Sequence, residues 1–194
     1  MKIGVTTFHF AKNYGAVAAI NASGFEDSGG TGNGGMPLGL VITQGRRLHG
    51  ATPKSKDTAI VAGFDANDKL IVAKMTNDQA KTLGIRDAVA FGPALVVNGV
   101  ASQVSGVSSG LNPRTAIGQR ADGAVLLLVI DGRQTTSLGA SIADLIEIMV
   151  KYGAVNAMNL DGGSSSIMLY EGRQINAGAP LTGGRKVPTA IIVK

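Results

Sequence analysis

Asp161 is carried by an apolar run, Ala154 to Leu160, directly into Gly162-Gly163, and three serines, Ser164 to Ser166, follow. A carboxylate placed there lies where backbone can approach a ligand closely, because glycine has no Cβ to hold it off. Successive amides at Gly162, Gly163 and Ser164 have the makings of a concave anion-binding array, with the Ser164 and Ser165 hydroxyls as further donors. The same residues also spell an ordinary Asp-Gly turn, and the pattern alone does not choose between the two. A second motif of this form, Asp131-Gly132-Arg133, follows the apolar run Val125–Ile130. Arg133 has the fork geometry to engage two phosphate oxygens, with Asp131 orienting it or acting as a base, although Asp-Gly after a strand is also a stock turn. Arg114, after Asn112-Pro113, and Arg185, after Gly183-Gly184, each open onto a further apolar stretch. They are candidates for the same anion or plain solvated arginines.

These residues need elements to hold them. Ile142, Leu145, Ile146, Met149 and Val150 recur at helical spacing, which predicts a helix from Ser141 to Tyr152 that opens on a Ser141–Asp144 capping box and stops at Gly153. Two shorter helices are predicted, Thr7–Tyr14 closed by Gly15 and Asn77–Leu83 closed by Gly84. Short apolar and β-branched runs predict strands at Leu38–Thr43, Ala59–Phe64, Leu70–Met75, Ala88–Val97, Arg114–Gly118, Val125–Ile130, Ala154–Leu160, Ile167–Tyr170 and Thr189–Val193. Hairpin turns are expected at Asp65–Asp68 and Glu171-Gly172, and Ser28–Gly35 is a glycine-dense loop. The expected class is α+β: one domain over residues 1–194, with a mixed, strand-rich sheet, one main helix at about 141–152 and two short ones. Strand, helix and strand over 125–160 imply parallel strands with their carboxyl ends on one edge, so that Asp131, Arg133 and Asp161 converge there.

Composition narrows the function. The chain has 194 residues, 44% hydrophobic and 16% charged, and its 28 glycines are roughly double the usual share, as many tight turns require. A net charge of +5 without any Lys/Arg run longer than two, and with only 4% aromatic residues, argues against nucleic-acid binding and suits an anionic substrate. The absence of cysteine removes thiol catalysis, disulfides and cysteine-bound zinc, and the two histidines, His9 and His49, lack ligand spacing. No apolar run is long enough to span a bilayer, and Met1–Thr7 has no signal-peptide core, so the chain as given is expected to be soluble. A G-x-S-x-G elbow, a Walker A loop and an EF-hand are all missing. Two aspartates and an asparagine have the oxygen chemistry to hold calcium or magnesium, but their spacing requires no cofactor.

The segments Ala18–Phe25, Phe91–Leu95 with Asn98-Gly99, Asn112–Gly118, Asp131–Arg133, Gly153–Ser166 and Arg185 before Val187 together resemble the phosphodiester glycosidase family in order and spacing. The most specific is Asn159-Leu160-Asp161-Gly162-Gly163-Ser164-Ser165-Ser166, similar to a family pattern close to N-L-D-G-G-G-S-S, with Ser164 in place of the third glycine. With only residues 1–17 ahead of Ala18, the family's opening strands are expected to be absent. The resemblance implies hydrolysis of a sugar–phosphate bond, with Asp161 as the catalytic carboxylate and Asp131 as second choice. It further implies Arg114, Arg133 and Arg185 on phosphate, and Asn21 with the Gly162 and Gly163 amides on oxygens. The expected partner is a phosphorylated sugar or glycan of a bacterial envelope or exopolysaccharide, met outside the cell or in the envelope, with a phage-associated or cytoplasmic setting as the alternatives. A non-catalytic phosphoglycan-binding module of an envelope or phage assembly is the competing function.

Overall fold

The computed structural model describes residues 3–27, 29–50, 58–103, 110–178 and 185–194; Ser28 and Gly183-Gly184, named above, lie outside them. In chain order the elements are β1 (Val5–Thr6), α1 (Thr7–Tyr14), β2 (Ala18–Asn21), β3 (Val41–Thr43), β4 (Arg46–His49), β5 (Ala59–Phe64), β6 (Leu70–Met75), α2 (Asn77–Thr82), β7 (Asp87–Phe91), β8 (Ala94–Val97), β9 (Val100–Ala101), β10 (Arg114–Arg120), β11 (Val125–Ile130), α3 (Ile142–Lys151), β12 (Ala154–Leu160), β13 (Met168–Tyr170), β14 (Arg173–Gln174), β15 (Lys186–Val187) and β16 (Ala190–Val193). Among the described residues the chain is strand-rich with three α-helices, each starting on a hydroxyl cap. Thr6, Thr76 and Ser141 accept the amides of His9, Gln79 and Asp144, and the last two complete capping boxes. Among the described residues no helix is long and apolar enough to cross a membrane.

The single mixed sheet expected from the sequence is replaced by several sheets, within which every described pairing is antiparallel. Two have five strands, ordered β11-β10-β12-β8-β9 and β4-β3-β7-β5-β6, one has four, β14-β13-β2-β16, and β1 pairs with β15. The crossover through α3 does make β11 and β12 parallel, but β10 lies between them, antiparallel to both. The register places Arg114 opposite Ile130 and Thr115 opposite Leu160, so the start of β10 sits between the residues that follow those two strands.

Alternation along β10 and β12 sorts side chains to two faces. Ala116 and Ala157 meet Ile142, Leu145 and Met149 of α3, while Ile117, Met158 and Leu160 join Ile20, Leu70 and Val72 in the core between sheets. Two amides stitch that inter-sheet core to β6. Gln119 Oε1 accepts from the Leu70 amide at 2.7 Å, and Asn156 Nδ2 donates to the Leu70 carbonyl at 3.1 Å. Gln119 also donates to the carbonyls of Asp68 and Gly123. Replacing Gln119 by Leu would leave the buried Leu70 amide without its partner, while the exposed Asp68 and Gly123 can turn to water, so a stability loss of about 1–3 kcal/mol is expected. Urea unfolding with an unchanged m value is the measurement, and a loss below about 1 kcal/mol would contradict this account.

Candidate active site

Asp161 follows the last residue of β12, and its main chain is pinned on both sides. Its amide donates to the Ala22 carbonyl at 3.0 Å, and its carbonyl accepts from Asn21 Nδ2 at 2.6 Å. Asn21, wholly buried, accepts at Oδ1 from the Thr115 hydroxyl (2.9 Å) and the Ile167 amide (3.2 Å), so one side chain ties β2, β10 and both flanks of the Asp161 turn. It is a framework residue and does not line the cavity beside Asp161.

Beyond Asp161 the chain makes a single 3-10 turn, Gly163–Ser165. Gly163 stands at φ +61°, a left-handed conformation that favours glycine, and donates its amide to the Pro113 carbonyl at 2.8 Å. The Gly162 amide turns back to the Asp161 carboxylate. Two of the three amides in the expected anion array are therefore already engaged by the protein. The glycines act chiefly by allowing this turn to pack against the start of β10.

The Asp161 carboxylate opens on a cavity of about 310 Å³. Burial pushes its pKa up to about 6, against the lowering effects of the Ser165 hydroxyl, the nearby Arg185 charge and the Gly162 amide. Ser164, Ser165, Arg133 and Arg185 line the same cavity, together with the apolar side chains of Phe25, Leu38 and Phe91. Arg185 donates to Ser164 Oγ and to Asp27 Oδ2, each at 2.7 Å, and its guanidinium lies over the Phe25 ring, 5.2 Å from the centroid. On the guanidinium, Gly32 packs so closely that a Cβ there would lie 3.2 Å from Cζ. Arg133, at φ +59°, donates to Asn112 Oδ1 at 2.9 Å and remains exposed beside Gly163.

Two candidates from the sequence lie elsewhere. Asp131 accepts from Asn176 Nδ2, the Ala177 amide and the Gly178 amide at 2.8–3.0 Å, so its carboxylate anchors the 176–178 loop and takes no part in the cavity wall. Arg114 is buried, donating to the carbonyls of Ala140 and Gly110, and burial lowers its pKa. Asp27 was not singled out in the sequence, and its signal was faint: an acid two residues after Phe25, at the mouth of the glycine-dense loop. Among the described residues, no three His, Cys, Asp or Glu side chains are gathered as a metal site would require.

The sequence model of the phosphodiester glycosidase family matches residues 14–194. The chain belongs to this family. Among similar proteins, the SPbeta prophage-derived uncharacterized protein YomE of Bacillus subtilis is 33% identical over 88% of the chain, which spans only 27% of that protein's length. The N-acetylglucosamine-1-phosphodiester alpha-N-acetylglucosaminidase of Bos taurus is 39% identical over 62 residues, 32% of this chain and 12% of that protein. The catalytic domain of the zebrafish enzyme of the same name, auto-inhibited by its pro-peptide, superposes on 98% of the chain and 67% of that domain's chain with a TM-score of 0.77 at 18% identity. This last likeness is one of fold.

An acid whose pKa is higher in the folded than in the unfolded state favours folding while protonated and opposes it once ionised. For Asp161 this stabilisation is complete below the ordinary value of 3.8 and is lost as pH rises through about 6. Asp161→Asn, which cannot ionise, is therefore expected to exceed the parent in stability at pH 8 by about 1–3 kcal/mol, and the gap should close near pH 4. Thermal unfolding of both proteins at the two pH values checks this, and equal melting temperatures at pH 8 would refute it.

Proposed function

We propose that this phosphodiester glycosidase-family chain hydrolyses the sugar–phosphate bond of a glycosyl phosphodiester. The observation that carries the reading is one cavity lined by a half-buried carboxylate, Asp161, which among the described residues forms no salt bridge, together with two arginines and the apolar side chains of Phe25, Leu38 and Phe91. The phosphate group binds against Arg133 and Arg185, whose charge stabilises the departing oxygen. Phe25, Leu38 and Phe91 supply a surface for the C–H face of the sugar ring. The anomeric C–O bond breaks with its electron pair passing to phosphate, water oxygen bonds to the anomeric carbon, and the water proton passes to the ionised Asp161. A phosphate monoester is a good leaving group, so no second carboxyl is needed to protonate it. Asn21 and Asp131 serve by holding the turn and loop that frame the cavity, and the steps use only this chain's own residues.

The substrate is best sought among phosphodiester-linked glycans of bacterial envelopes and exopolysaccharides, with the enzyme acting outside the cell or in the envelope. The prophage-derived relative supports a phage setting for such a target. The test is release of sugar from a panel of synthetic glycosyl phosphodiesters. The parent should turn over at least one, with kcat/KM rising with pH to a plateau above about pH 6, where Asp161 ionises. Asp161→Asn should lose more than about a hundredfold in kcat, and Arg133→Gln should raise KM by about tenfold or more. Binding of panel members without turnover, unchanged in Asp161→Asn, would replace the hydrolase with a non-catalytic phosphoglycan-binding module.

A further inference from the structure

The cavity contains a charge that the proposed hydrolysis does not use. Asp27 donates nothing to the reaction centre: Oδ2 accepts from Arg185 and Oδ1 from the Gly32 amide at 2.8 Å, which fixes the carboxylate at the cavity wall as an acceptor. Its side chain and that of Arg185 are 21% and 25% exposed, so solvent screens the pair only in part. Of the charged groups lining the cavity, Arg133 and Arg185 are cations, while Asp27 and Asp161 are acids. With Asp161 ionised these four cancel, and a cavity meant for the most strongly charged phosphate would not carry an acid salted against its better-buried arginine.

Resting on the hydrolase reading, we propose that Asp27 is the specificity-determining residue that matches the cavity to a singly charged phosphodiester and weakens its hold on the doubly charged phosphomonoester. A diester carries one negative charge, whereas a monoester carries two above its second pKa of about 6. Each phosphate charge is drawn by the arginines and repelled by Asp27, and the repulsion weighs twice on the dianion. The product of sugar–phosphate hydrolysis is such a monoester, so Asp27 also favours its release. Asp27 additionally positions Arg185, gripping one end of the guanidinium while Ser164 takes the other and Phe25 and Gly32 cover its faces.

The two roles separate in equilibrium binding followed by ³¹P NMR at pH 8, with dimethyl phosphate as the monoanion and methyl phosphate as the dianion. The parent should bind the two probes within a few-fold of each other. Asp27→Asn, which keeps a hydrogen-bond acceptor for Arg185, should tighten methyl phosphate by about five- to tenfold and dimethyl phosphate by about two- to threefold. A parent that prefers the dianion by more than tenfold would overturn the proposal without any variant, even if Asp27→Asn did not fold. An unchanged ratio in Asp27→Asn, or equal weakening of both probes, would overturn it too and leave Asp27 as a positioning residue alone. No turnover enters these measurements, so a failure of the glycosidase panel is seen separately. Absence of binding by either probe to the parent would remove the phosphate cavity on which both readings stand.

Discussion

The buried carboxamide of Asn21 is the constraint on which the site depends. Its three hydrogen bonds reach the Asp161 carbonyl, the Thr115 hydroxyl and the Ile167 amide, so β2 of one sheet is registered to β10 and β12 of another at the point where β12 ends. No apolar residue could do this, because two donors and an acceptor would be left without partners in a place closed to water. Once the Asp161 main chain is fixed there, its side chain has little choice of direction, and Ser165 and Arg185 converge on it from the turn and from the segment ahead of β15.

Holding a carboxylate in such surroundings opposes folding, and the fold bears that cost through interactions away from the cavity. The Gln119 and Asn156 amides lock β6 to the central sheet, and α3 covers the other face with Leu145 and Met149. Asp131 holds the 176–178 loop by three donors, while the Gln134 side chain takes the Gly178 carbonyl. Asp131, with three donors, thus holds a loop and forms no part of the cavity wall, whereas Asp161, with the Ser165 hydroxyl and the Gly162 amide, lines it. The difference has a chemical consequence, since hydrogen bonds to the ionised form make a carboxylate a weaker base.

Local pattern made much of the fold legible. The runs at 59–64, 70–75, 125–130 and 154–160 form strands with the expected bounds, and all three helices lie where caps and spacing placed them. Strands such as β1, β9 and β15, two residues each, exist because a partner far along the chain pairs with them or because a turn brings them round, which no short window records. Sheet order failed for a similar reason. Nothing between Val125 and Leu160 announces that β10 will occupy the place between its parallel neighbours. At the cavity, the position of Asp161 was readable from the apolar run that carries it into two glycines and from the family-like run Asn159–Ser166 around it. Asp131 carried the same signal, but its partners lie about 45 residues onward, at 176–178. Arg114 and Arg185 looked alike in sequence, and tertiary packing sent one into the interior and the other to the cavity.

The departure at Ser164 from the family's run of glycines becomes intelligible once the backbone is seen. Gly163 alone of the turn residues needs a left-handed φ, and it is this backbone conformation that calls for glycine, since a Cβ there would only touch the Arg133 guanidinium in ordinary contact at 3.5 Å. Ser164 is not among the residues at positive φ, so a side chain there meets no backbone penalty. The hydroxyl it adds accepts from Arg185, the second grip on a guanidinium whose buried Nε has no acceptor among the described residues. An arginine held at both ends has already given up much of its side-chain freedom, so on the proposed function little more would be lost on binding a phosphate. The substitution therefore falls at a position in the turn where glycine's freedom is not required, and the added hydroxyl supports the Arg185 guanidinium at the cavity wall.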